Sequence, residues 1–326
     1  MAVVSAGAVP SGSTRYTQPF ATDYFEGFSV VDSDLRIPQK KPSFWNGVDA
    51  ETSAEQMALA REYEKEGSLR AARRAYDALV REWPHSKEAM DAQYAVARIF
   101  EESGNLKEAF DEYQYLVAHY AGLFSFDEVQ DRQWRIANAL LNEGRSFLGI
   151  DLGPGAEERE RFEKMVCNAP RSPRVPEMML VIGGMREDEK DYKEAISVYD
   201  GLLNRFPKSP QAPTAAYLDA KCRYLLSLEN DDNEDRCRNS LAFFKSLLER
   251  MPNHPSKDDL LFWQGKLQEL LLEQNYQQAI FYERRRPAVA ESAYTRFLSE
   301  FGTSKYAEDI KSRLEALRAA RSTGKE

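Results

Sequence analysis

Cysteine, histidine and long apolar runs are scarce in this chain, and each scarcity removes a class of function. Three cysteines, Cys167, Cys222 and Cys237, are too few and too scattered for a disulfide framework or a zinc site. Buried thiols are the default reading, with a Cys222–Cys237 pair left open for an oxidising compartment. No apolar stretch approaches the roughly 18 to 20 residues that cross a bilayer. Membrane association is therefore expected only through an anchor or partner outside the sequence. Basic residues are outnumbered, 44 against 53 acidic, for a net charge of −9, and no run of cations is longer than Arg284-Arg285-Arg286. That balance offers no footprint for a phosphate backbone, so nucleic acid is not an expected partner.

Catalytic and cofactor motifs are missing too. The chain has no phosphate-binding glycine loop, no Gly-x-Ser-x-Gly elbow, no His-Glu-x-x-His helix and no Cys-x-x-Cys pair. The acidic run Asp231-Asp232-Asn233-Glu234-Asp235 lacks the glycine and the terminal glutamate of a calcium loop. Gly183-Gly184 follows no strand and reads as close helix packing. No enzyme, cofactor or metal site is expected.

What is present is a repeat. An aromatic residue, or one like it, is followed at +3 and +4 by apolar residues and at +7 by another, which is one stripe of a helix. Six stripes start at Tyr76, Tyr113, Phe162, Tyr199, Phe244 and Tyr294, spaced 37, 49, 37, 45 and 50 residues apart. Proline turns close most of them: Trp83-Pro84, Ala169-Pro170, Phe206-Pro207 and Met251-Pro252, with Phe301-Gly302 in the last copy. A small residue stands four before the aromatic in five copies, Ala72, Ala109, Ala195, Ser240 and Ala290, and lets two helices approach closely. His85, His119 and His254 fall near the ends of second helices, where an imidazole needs no function.

These residues resemble the tetratricopeptide consensus. Leu59, Ala60 and Tyr63 stand at its first-helix positions before Ala72, Tyr76 and Pro84; Val96, Ala97 and Phe100 do so before Ala109, and Met179, Ile182 and Gly183 before Ala195. The resemblance implies an all-α, right-handed superhelical solenoid of about six helix pairs. The pairs are expected near 53–83, 87–120, 127–169, 176–206, 213–251 and 258–301, with a closing helix at about 304–320. Glycines at Glu66-Gly67-Ser68 and Ser103-Gly104-Asn105 supply left-handed helix ends. Insertions are expected at Gly144 to Gly155, as a loop, and at Glu229 to Asp235.

The domain reading is an extended or disordered lead over 1–52, a solenoid over 53–320 and a disordered tail over 321–326. The lead holds Pro10, Pro19, Pro38 and Pro42 with no helical period, yet it carries Phe20, Tyr24, Phe25, Phe28, Phe44 and Trp45. Those aromatics suit packing on the solenoid, occupation of its groove, or a solvated tail. Ala2 to Ala8 reads like the end of a secretory signal without its basic start, so an incomplete export signal is expected. First helices of such arrays line a groove suited to an extended peptide or a partner helix. Its lining in the first two pairs is expected to be Met57, Arg61, Lys65, Tyr94, Arg98 and Glu102.

Over about residues 53 to 318 the chain is also similar to the BamD-type outer-membrane-assembly lipoproteins. The similarity rests on Glu55-Gln56 through Ser86, on Phe206-Pro207-Lys208-Ser209-Pro210-Gln211-Ala212, and on Phe281-Tyr282-Glu283-Arg284-Arg285 followed by Ala290 to Phe301. It implies a protein-binding scaffold at the periplasmic face of the outer membrane. Its partners would be the barrel-assembly protein, at the C-terminal pairs, and unfolded outer-membrane clients, at the N-terminal pairs. Two features depart from that family: no cysteine precedes Cys167 to carry a lipid, and six stripes stand where better-known members have five pairs. The alternative is a general periplasmic or cytosolic scaffold, for example in cell division or envelope constriction.

Overall fold

The computed structural model describes residues 40, 47–143, 146–147, 150–151, 155–229 and 234–322. Most of the lead, much of the first insertion, residues 230–233 of the second and the tail from 323 lie outside the described residues. Among those described, thirteen helices run in order: α1 Ser53–Lys65, α2 Leu69–Glu82, α3 Ala89–Glu102, α4 Leu106–His119, α5 Phe126–Glu143, α6 Ala156–Asn168, α7 Val175–Asp188, α8 Tyr192–Arg205, α9 Ala212–Leu228, α10 Glu234–Arg250, α11 Lys257–Arg285, α12 Pro287–Phe301 and α13 Ala307–Ser322. They form six hairpins and a closing helix, an all-α solenoid of the tetratricopeptide type. Inside the first insertion, expected as a loop, β1 Ser146–Phe147 and β2 Ile150–Asp151 pair antiparallel.

Local chemistry sets the helix boundaries. Thr52 caps α1 by accepting the Glu55 N–H at 3.3 Å, and Asp191 caps α8 by accepting that of Glu194 at 3.5 Å. Gly67 and Gly104 leave the first helices at φ 78° and 76°, where a side chain is strained. The fourth pair makes the same turn with Lys190 at φ 60°. Pro176, Pro213 and Pro287 open α7, α9 and α12 in the first turn, where a missing N–H costs no helical bond.

Packing follows the stripes. Tyr76, Tyr113, Phe162, Tyr199, Phe244 and Tyr294 are all buried, each on a second helix. On the first helices, Ala60 and Ala97 are fully buried, and the matching position in the fourth pair is Gly183. A Cβ on Gly183 would stand 2.3 Å from Cε1 of Tyr199, so the ring itself demands the glycine. Cys222 and Cys237 are free, buried thiols in different core clusters, and Cys237 donates to the Leu267 carbonyl.

A second repeat is polar. Gln56 donates to the Ala75 carbonyl at 3.2 Å and Gln93 to the Glu112 carbonyl at 2.9 Å, each tying a first helix to its own second helix. Gln130 stands another 37 residues on and is only 4% exposed, but neither end of its amide has a partner among the described residues. The insertion between α5 and α6 comes between Gln130 and its second helix. An orphaned amide of this kind costs about 1 to 3 kcal/mol.

The tyrosine wedges give a direct test. Tyr113→Ala and Tyr199→Ala should each cost about 3 to 5 kcal/mol. Their hydroxyls separate them, because Tyr113 donates to Glu101 at 2.9 Å whereas the buried Tyr199 hydroxyl has no partner among the described residues. Tyr113→Phe is expected to cost about 1.5 to 3 kcal/mol, and Tyr199→Phe to be neutral or stabilising. Urea denaturation of the four variants measures this; equal losses in the two Phe variants would contradict the assigned contacts.

Candidate functional site: the first-helix face

The first helices present their outward residues side by side, and the structure distributes the six expected groove residues unevenly. Met57 is corrected: it is 5% exposed, packed in the N-terminal core and unavailable to a ligand, because its register on α1 turns toward α2. Arg61 and Lys65 are exposed, with Arg61 4.0 Å from Asp91. Tyr94, Arg98 and Glu102 lie one turn apart along α3, and Arg98 donates to Glu102 at 2.8 Å. Arg98 also donates to Glu64 of the preceding first helix.

That last contact belongs to a relay absent from the sequence reading. On α1, Glu64 accepts from the Tyr76 hydroxyl at 2.7 Å and from Arg98. On α3, Glu101 accepts from the Tyr113 hydroxyl at 2.9 Å and from Arg132 at 3.0 Å. Farther along, Glu187 of α7 pairs with Lys221 of α9, and Glu283 of α11 with Arg313 of α13 at 2.8 Å. Each carboxylate is thus clasped by a cation from the next first helix. The signal was legible: a glutamate stands 12 residues before the stripe tyrosine at Glu64, Glu101 and Glu187.

Electrostatics follow from the pairing. Burial works against the Glu64 carboxylate, but hydrogen bonds from Tyr76 and Arg98 outweigh it and hold its pKa below the usual carboxylate value. Burial first, and then the Glu101 bond, push the Tyr113 hydroxyl well above the usual tyrosine range. Arg132 lies over the Tyr94 ring, 5.6 Å from its centroid, and Tyr94 meets Tyr113 edge-on at 5.9 Å while donating to Glu128. The charges on this stretch of the face are largely satisfied by one another.

Toward the C-terminus the same face becomes aromatic. Trp263 of α11 sits between Tyr217 and Tyr224 of α9, at 5.3 and 5.8 Å between ring centroids, and His254 stacks on Tyr217 at 6.1 Å. The Tyr217 hydroxyl donates to Asp259 at 3.2 Å. Phe262 is left 59% exposed beside Lys266. Among the described residues no group of three or more His, Cys, Asp or Glu is placed to hold a metal, and no helix is long and apolar enough to cross a membrane.

Paired helices with buried second-helix aromatics, and an open first-helix face, define the fold class: a tetratricopeptide-type solenoid. Residues 57–123, covering the first two pairs, match the tetratricopeptide repeat family. Residues 189–321, from α8 through nearly all of α13, match the family described as outer membrane lipoprotein. Similar solved structures include a tetratricopeptide repeat protein from Parabacteroides merdae, 16% identical, covering 82% of this chain and 100% of that one at a TM-score of 0.30. Another is the C-terminal part of a repeat-containing protein from Cytophaga hutchinsonii, 16% identical over 80% of this chain and 88% of that one, with a TM-score of 0.32. The MamA protein is 13% identical over 62% of this chain and 93% of that one, with a TM-score of 0.30. Comparison with curated proteins gave no match.

The relay predicts an acid dependence. A carboxylate whose folded-state pKa is depressed contributes stability that is complete above its unfolded pKa and is lost as pH falls through the folded value. Arg98→Met should therefore cost about 1 kcal/mol at pH 7. The difference from wild type should shrink as pH drops below the ordinary carboxylate range, where Glu64 is protonated in both. Melting curves from neutral pH downward check this; a gap that stays constant would show that Arg98 acts through packing alone.

Proposed function

We propose that the chain is a non-enzymatic protein-binding scaffold of the BamD type, acting at the periplasmic face of the outer membrane. The single observation that carries this reading is the match of residues 189–321 to the outer membrane lipoprotein family, falling on the helices that hold the aromatic stretch. In this reading the C-terminal pairs hold the barrel-assembly protein. The polar N-terminal stretch takes extended, unfolded outer-membrane clients.

Chemistry supports that division of labour. An extended client offers backbone carbonyls and scattered acidic side chains, which suit the exposed cations Arg61 and Lys65. A folded partner is better held by large, rigid side chains such as Phe262, Trp263 and Tyr224. No step in this function requires a reacting group.

An affinity pull-down from envelope extract tests the proposal. The wild-type chain should recover the barrel-assembly protein and outer-membrane clients. Arg61→Glu with Lys65→Glu should reduce client recovery about tenfold, equivalent to about 1.4 kcal/mol, and leave the assembly partner bound. Recovery of other envelope proteins without the barrel-assembly protein would favour a general scaffold instead.

A further inference from the structure

On the opposite side of the array, the second helices α2 and α4 form a small acidic notch that already has an occupant. Asp77 of α2 and Glu112 of α4 converge on the ammonium of Lys40, at 3.1 and 2.6 Å, and the Tyr115 ring lies 5.0 Å from the same nitrogen. The site is enclosed: the side chains of Lys40, Asp77 and Glu112 are 14%, 14% and 22% exposed. Arg81 also pairs with Asp77 at 3.0 Å, and the Gln93 amide donates to Glu112 at 2.7 Å. Two carboxylates thus face two cations, one of them Lys40.

Two half-buried acids, an aromatic face and a fixed amide are the ingredients of ammonium recognition. A surface ion pair between neighbours on one helix would carry no such meaning. Here the lysine comes from 37 and 72 residues away in the sequence and bridges two helix pairs.

We propose that Asp77, Glu112 and Tyr115 form a lysine-reading notch, and that Lys40 is its built-in ligand, held on the second-helix side of the first two pairs. The fastening point keeps residue 40 away from the first-helix face, which stays available to a partner. It also makes Lys40 part of the joint between pairs one and two. This inference does not depend on the identity of any partner in the groove.

Lysine footprinting of the full chain tests it. After brief treatment with an acetylating N-hydroxysuccinimide ester, mass spectrometry that resolves Lys40 from Lys41 should find Lys40 reacting about tenfold more slowly than Lys87, whose side chain is 89% exposed. Asp77→Asn with Glu112→Gln should bring the Lys40 rate up to that of Lys87. Wild-type Lys40 reacting as fast as Lys87, or a Lys40 rate unchanged in a folded double variant, overturns the proposal. If the double variant does not fold, Lys40→Gln serves in its place. A peptide copying residues 36–44 should then bind this variant about tenfold more tightly than wild type, whose notch is filled. A peptide with glutamine at position 40 should show no preference, and equal binding of the lysine peptide to both proteins overturns the notch as its site.

Discussion

The solenoid depends on one feature repeated along the chain: a second-helix aromatic ring buried in each of six hairpins. The ring removes a large apolar surface from water, and in the fourth hairpin the glycine opposite lets the two backbones close on it. Gly183 shows how strict the contact is, since even a methyl group there would overlap the Tyr199 ring. A hairpin built this way still exposes its flank, which only the next hairpin can cover. Stacking, and with it an open first-helix face, follows from the wedge.

Polar side chains then set how the hairpins sit beside one another. The carboxylates Glu64 and Glu101 are held by a tyrosine of their own pair and a cation of the next, so each bond within a hairpin is coupled to one between hairpins. Gln56 and Gln93 lock first helix to second in the first two pairs, and Gln130 cannot do so in the third. The third pair therefore keeps its aromatic wedge, Phe162, while losing an amide tie. An insertion is tolerated where burial is conserved and hydrogen bonding is not.

The hairpins were legible because a wedge needs the same residue types at the same spacing each time, and turns need proline or glycine. The expected third pair, 127–169, ends as α5 and α6 do even with twelve inserted residues inside it. Met57 was misassigned because an outward register was extrapolated to a residue whose thioether fits the core. The aromatic stack at Trp263 was missed since it joins residues from α9 and α11 outside any stripe, and no local period announces it. Lys40 was invisible for the same reason. It comes from a segment with no helical rhythm and meets acids that look, in sequence, like ordinary solvated helix faces.

The core is not one body from end to end. Residues from Met57 to Cys222 form one continuous apolar cluster, and a second runs from Ala216 to Leu271, so both meet within α9. At that meeting Asp219 is fully buried and Arg223 bridges it, at 2.7 Å, to Asp200 of α8, at 2.6 Å, with Phe243 of α10 against the guanidinium. Burial drives the Asp219 pKa well up, against the pull of Arg223, so removing either partner would leave the other buried and uncompensated. A guanidinium shared between carboxylates of two helices adds geometric specificity to the apolar packing around it. The polar, mutually paired face of the N-terminal core and the aromatic face beyond it thus meet at α9, where this charged joint ties α9 to α8.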